Sequence, residues 1–127
     1  MPEKHLFEYA VIRVVPRVER EEFINVGVIL YCAKQSFLQT TIFINESKLL
    51  AFASDIEIEF VKANLNAIVN ICEGGDHAGP IGKLDNASRF RWLTATRSTV
   101  VQASKVHPGF CKDANETLQK LTEQLVL

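Results

Sequence analysis

Between Ser88 and Lys112 the chain has no Asp or Glu, although its 127 residues carry a formal charge of -1. That stretch holds Arg89, Arg91, Arg97, Lys105 and Lys112, so the remainder is acidic and the charge is segregated. Cysteine is scarce: Cys32, Cys72 and Cys111 are odd in number and far apart, with no C-x-x-C, which excludes a disulfide framework or a zinc ribbon. Long apolar runs are missing too, since no stretch approaches the roughly 18 to 20 residues of a membrane span. Met1-Pro2-Glu3-Lys4 opens on mixed charge and Glu8 and Arg13 interrupt the segment that follows, so no signal peptide is read and a cytoplasmic protein is expected. Phosphate-loop signatures are absent: Gly74-Gly75-Asp76-His77-Ala78-Gly79 matches neither G-x-x-x-x-G-K-[ST] nor G-x-G-x-x-G.

What is present describes an ordinary globular chain. Hydrophobic residues make up 47% and charged residues 23%, enough apolar matter for one core and too little charge for a disordered segment. A single domain over residues 1–127 is expected, folding without metal, cofactor or disulfide.

Leu6 to Val15 is rich in β-branched and aromatic residues and stops at Pro16, which predicts a first strand. In Phe23 to Ala33 the residues Ile24, Val26, Val28, Leu30 and Cys32 fall at period two, which predicts a second strand with one apolar face. Lys34-Gln35-Ser36 reads as a tight connection to a third strand, Phe37 to Ile44. Asn45 opens a helical turn to Ala53. Ser54 and Glu57 form a capping-box pattern ahead of a helix carrying Ile58, Val61, Leu65, Ile68 and Cys72 and ending at Gly74-Gly75. Glu73 to Leu84 reads as a glycine-rich surface loop. Asp85 or Asn86 caps a short helix to about Ala95 with Phe90 and Leu93 inward, Thr99 to Ser104 reads as a fourth strand, and Asp113 with Glu116 caps a last helix bearing Leu118, Leu121 and Leu125. The expected class is α+β: a mainly antiparallel sheet of about four strands with helices packed largely on one face.

Candidate site residues follow from polar groups at strained or apolar positions. Asn25 and Gly27 interrupt the second strand, and a glycine there marks a bulge, a crossing backbone or a close ligand. Arg13 sits in the alternation Tyr9, Val11, Arg13, Val15, where a covered guanidinium requires an anionic or carbonyl partner. Arg97, Ser98 and Thr99 lie at a helix-to-strand junction, where a guanidinium, two hydroxyls and free N–H groups suit a phosphate or carboxylate. Arg91 and Arg97 either serve that purpose or pair with acids elsewhere, with Glu19, Glu21 and Glu22 as candidates; Arg89, Lys105 and Lys112 read as solvated charge. Phe90 and Trp92 among the cations would suit a single-stranded nucleic acid, but a pI near 6.3 argues against it. No metal site and no catalytic constellation is read.

Four blocks carry a resemblance: Tyr9 to Pro16, Glu22 to Leu30, Arg89 to Ala95, and Arg97 to Ser104. In order and over nearly the full chain they resemble the bacterial domain-of-unknown-function family 3037. The resemblance implies no catalytic role for any residue. Its motif positions here are Arg13, Asn25, Gly27, Arg91, Arg97, Ser98, Thr99 and Gln102, and it implies a small partner of HipA-like kinase-fold proteins.

Two functions from different classes remain open. The first is a non-enzymatic accessory or interaction module whose basic strip around Arg91 and Arg97 docks an acidic partner surface or anionic ligand. The second is an enzyme or binding protein for a phosphorylated small molecule or nucleotide, with Arg13, Arg97, Ser98 and Thr99 as anion clamp and His107 as acid/base.

Overall fold

The computed structural model describes residues 3–95, 97 and 99–127. Its centre is β1 (His5–Val14), a ten-residue strand whose side chains are wanted on both faces: Ala10, Ile12 and Val14 are buried on one and Phe7 on the other. β2 (Ile24–Cys32) pairs antiparallel with β1, and β3 (Phe37–Ile42) pairs antiparallel with β2 as an outer edge. The other flank of β1 is shared end to end by β4 (Val101–Ala103) and β5 (His107–Cys111), again antiparallel. The class is therefore α+β, with five strands among the described residues rather than about four.

The helices are α1 (Glu46–Phe52), α2 (Ile58–Glu73), α3 (Gly79–Gly82), α4 (Asn86–Leu93) and α5 (Ala114–Leu125). Residues from α1, α2 and α4, among them Leu49, Leu65 and Phe90, bury Ile12, Val14 and Ile29 on one face of the sheet. α5 covers the opposite face, where Leu118 and Ala114 meet Phe7, Val28, Leu30 and Cys32. That second face, mixed in sequence, is thus a second core. Each large side chain buried in either core contributes about 1.5–3 kcal/mol, so neither layer is optional.

A bulge decides how β2 serves both cores. Ile12 stands opposite Gly27, but Arg13 stands opposite Asn25, so Val26 is one residue too many. The extra residue reverses the alternation: Ile24 and Val26 pack with α2, whereas Val28, Leu30 and Cys32 pack with α5. The single apolar face expected from period two is corrected accordingly. Gly27 needs no ligand to explain it, because a Cβ there would collide with the Thr41 carbonyl oxygen and come within 2.8 Å of Ile42 Cδ1.

β5 is the strand that sequence reading lacks. Pro108-Gly109 looks like a turn, yet proline is tolerated on an edge, and the Phe7 ring lies over Gly109 in the opposite strand. The predicted fourth strand shortens to Val101–Ala103. Caps differ as well. Asn45 and Asp85 accept from Lys48 and Ser88 as expected. Ser54 does not cap α2, which starts after Glu57 without a side-chain cap. At α5 the cap comes from a distance: Gln35 of the β2–β3 hairpin accepts from the Ala114 N–H at 2.7 Å and donates to the Lys112 carbonyl. The glycine-rich stretch is folded rather than open, with a 3-10 turn at Asp76–Ala78, the α3 turn, and a Gly75 N–H to Gly82 carbonyl bond of 2.9 Å.

Candidate functional site

The acid-free stretch separates into cations with different fates. Arg89, expected as solvated charge, is instead buried at 8% exposure. Its Nε donates to the Leu84 carbonyl, Nη1 to the Ile71 and Cys72 carbonyls at 2.8 and 2.6 Å, and Nη2 to Asn86 Oδ1. Two of these acceptors are carbonyls at the end of α2, where the helix dipole is negative, so the charge is neutralised without a carboxylate. Gly74 follows directly with φ 78, and a Cβ there would come within 2.7 Å of Arg89 Nη1. A signal for this existed in sequence: Arg89 stands four residues before Leu93 on the face that α4 turns inward.

Arg91 is exposed and held by Glu8 of β1 in a two-pronged pair, Nη1 to Oε2 at 2.7 Å and Nη2 to Oε1 at 2.8 Å. The acid is therefore Glu8, rather than Glu19, Glu21 or Glu22. Glu8 bonding is the first cause that raises the Arg91 pKa above its ordinary value. Arg97 closes the end of α4, with Nη2 donating to the Trp92 carbonyl at 2.6 Å and its guanidinium 4.3 Å from the Trp92 ring centroid. That arginine covers one face of the ring. Ser98 lies outside the described residues. Thr99 donates its hydroxyl to the Val101 carbonyl, and Gln102 Nε2 donates to the Thr99 carbonyl, both at 2.7 Å.

Arg13 is finished differently. It stands between Asn25 on β2 and Gln102 on β4, its direct partners across the two strand pairs, so the three side chains form a polar row on the α5 face of the sheet. The Phe23 ring lies 4.1 Å from the guanidinium carbon. Arg13 Nε is buried and has no hydrogen-bond partner. Asn25 is engaged, donating Nδ2 to the Leu125 carbonyl at the end of α5 at 3.0 Å. Of the site residues expected from sequence, Arg13, Asn25 and Gln102 come together, with Thr99 attached through Gln102. Arg91 and Arg97 attach to Glu8 and α4 instead. Phe23 and Glu8, each central to one of these arrangements, had no signal beyond composition.

The chemistry available is narrow. His107 pairs with Tyr9 in β5, their rings 5.3 Å apart. Tyr9 is four residues along β1 from Arg13, roughly 14 Å at ~3.4 Å per residue, too far for His107 and Arg13 to act on one reacting atom. His77 lies 3.8 Å from Glu73 rather than working with Asp76. All three cysteines are buried; burial pushes the Cys72 thiol up to about 12 and raises that of Cys111, the reverse of an activated nucleophile. Among the described residues no group of three or more His, Cys, Asp or Glu could hold a metal ion. No helix among them is long and apolar enough to cross a membrane.

Comparison with protein families finds a match: residues 9–126 fit the model described as "Protein of unknown function (DUF3037)". No curated protein and no solved structure matches the chain.

Proposed function

The chain belongs to that family of unknown function, and from this premise we propose that it is a non-enzymatic interaction module that holds an acidic group of a partner at Arg13. One observation carries the reading: a buried guanidinium Nε without an acceptor, in a row with Asn25 and Gln102. A buried donor left unmade costs about 1–3 kcal/mol, so a site that retains one is completed when a carboxylate or phosphate oxygen arrives. The planar fork with its five donors suits that geometry, and Phe23 holds its flat face from one side. The basic strip has less to offer a partner, since Arg89, Arg91 and Arg97 already have acceptors within the chain.

A HipA-like kinase-fold protein is the first partner to try. The test uses the 15N signal of the Arg13 Nε–H group in the full chain, titrated separately with sodium acetate, inorganic phosphate and the purified kinase-fold protein. The expected result is a saturable shift of that signal, absent in Arg13→Met, with the signals of Arg89 and Arg97 unmoved. A signal indifferent to all three additions sinks the reading.

A further inference from the structure

The two edges of the sheet are built on opposite principles. A free strand edge is a row of unpaired N–H and C=O groups, and proteins that must stay monomeric blunt it with proline, charge, interruption or short strands. The β4/β5 edge has all four. Its strands are three and five residues long, residues 104–106 interrupt the strand between them, Pro108 removes a donor, and Lys105 and Lys112 flank β5. The β3 edge has none: Phe37-Leu38-Gln39-Thr40-Thr41-Ile42 carries no charge and no proline. The bulge of this sheet lies across β2 from it, in the pairing with β1.

The free groups on β3 can be assigned. The Phe43 N–H donates to the Val26 carbonyl, and hydrogen-bonded pairs alternate along an antiparallel ladder. Thr41, Gln39 and Phe37 therefore bond to β2, and Leu38, Thr40 and Ile42 point their N–H and C=O outward. Among the described residues none of these outward groups has another acceptor or donor. Along the α2 side of β3 runs an open groove of about 530 Å³, bordered by Leu38, Thr40, Val69 and Glu73.

We infer that β3 pairs with β3 of a second copy of this chain, antiparallel about a two-fold axis at Thr40. That axis sets Thr40 opposite Thr40 and Leu38 opposite Ile42 in each direction, the three pairs whose groups are free, giving about six hydrogen bonds. The side chains agree with this register. Leu38 and Ile42, which pack into the core under α2, meet Ile42 and Leu38 of the copy, so apolar continues into apolar. On the other face exposed Gln39 meets Thr41, and a strand without charge meets itself without repulsion. The Thr40 hydroxyl is already bonded to the Val28 carbonyl and so brings no unpaired donor to the axis. The result is one continuous sheet across two copies, and the Arg13 row lies away from the joint, beyond β2.

Sedimentation over a dilution series, read together with residue-resolved hydrogen exchange, tests this. The expected mass is twice the 14.3 kDa of the chain, falling to one chain on dilution. The amides of Leu38, Thr40 and Ile42 should change from slow to fast exchange in step, while Gln39 and Thr41 stay slow. Thr40→Pro should be a monomer at every concentration with an unchanged far-ultraviolet spectrum. If that variant does not fold, the exchange of the wild-type amides still decides the matter. A wild type of single-chain mass throughout overturns the inference, as does a dimer in which those three amides remain fast. Protection that arises only with an added foreign protein overturns it in favour of a heterologous strand.

Discussion

Arg89 and Arg13 are the two guanidiniums that this fold draws into its layers, and they are finished in opposite ways. Arg89 has acceptors on three nitrogens and sits at the end of α2, where partial negative charge gathers. Arg13 has an aromatic ring beside it and a buried Nε with nothing to bond. A cation saturated by its own chain is a structural part; one left open by neighbours that could have satisfied it points outward to something else. The comparison therefore moves interest from the acid-free stretch, which looked like the site in sequence, to the strand row on the far side of the sheet.

The comparison is broken most directly at Arg89. Arg89→Met leaves the carbonyls of Leu84, Ile71 and Cys72 without their donor, and a loss of about 3–5 kcal/mol is expected. Urea unfolding followed by Trp92 fluorescence measures it; a loss below about 1 kcal/mol would remove Arg89 as the tie between α2 and α4.

The same end of α2 makes a pH prediction. The Cys72 thiol is raised by burial from 9.0 to about 12 in the folded chain. Below pH 9.0 both states keep the proton and nothing changes. Above it the unfolded chain ionises first, so stability falls with rising pH, by up to about 1.4 kcal/mol per unit until the folded thiol also ionises. Urea midpoints at about pH 8 and about pH 10.5 should differ less in Cys72→Val than in the wild type.

A smaller effect belongs to the exposed pair. A double-mutant cycle on Glu8→Gln and Arg91→Gln should return a coupling of about 0.5–1 kcal/mol, favoured by two-pronged geometry and weakened by solvent and salt. No measurable coupling would make Arg91 available to a partner again. Smallest of all is Arg13→Met: removing an unsatisfied donor and keeping the packing on Phe23 should leave stability within about 0.5 kcal/mol of the wild type or above it. A loss comparable with that of Arg89→Met would show that Arg13 is structural, and the contrast between the two arginines would collapse.

Much of the architecture was legible in the chain. β1 was legible in its β-branched and aromatic residues ending at Pro16, β2 in its period-two run, β3 in the short connection ahead of it, and α2 in the spacing of Ile58, Val61, Leu65, Ile68 and Cys72, because these signals are local. β5 was not legible, since Pro108-Gly109 is a turn signal that only a neighbouring strand overrules. The candidate site was half legible. Arg13 and Asn25 stood out as polar groups in apolar strands and Gln102 as a motif position of the resembled family, but their convergence is a matter of register between three strands, one of them distant in sequence from the other two.

Sequence by itself determined the α+β class, the family, and the segregation of charge, all of which follow from composition and from order along the chain. Tertiary structure alone decided which cations are spoken for. An arginine is neutralised by whatever acceptor stands within about 3 Å of it, and for Arg91 that acceptor, Glu8, is 83 residues away. It also decided which edge of the sheet stays open, because an edge exists only once every other strand has found its neighbour.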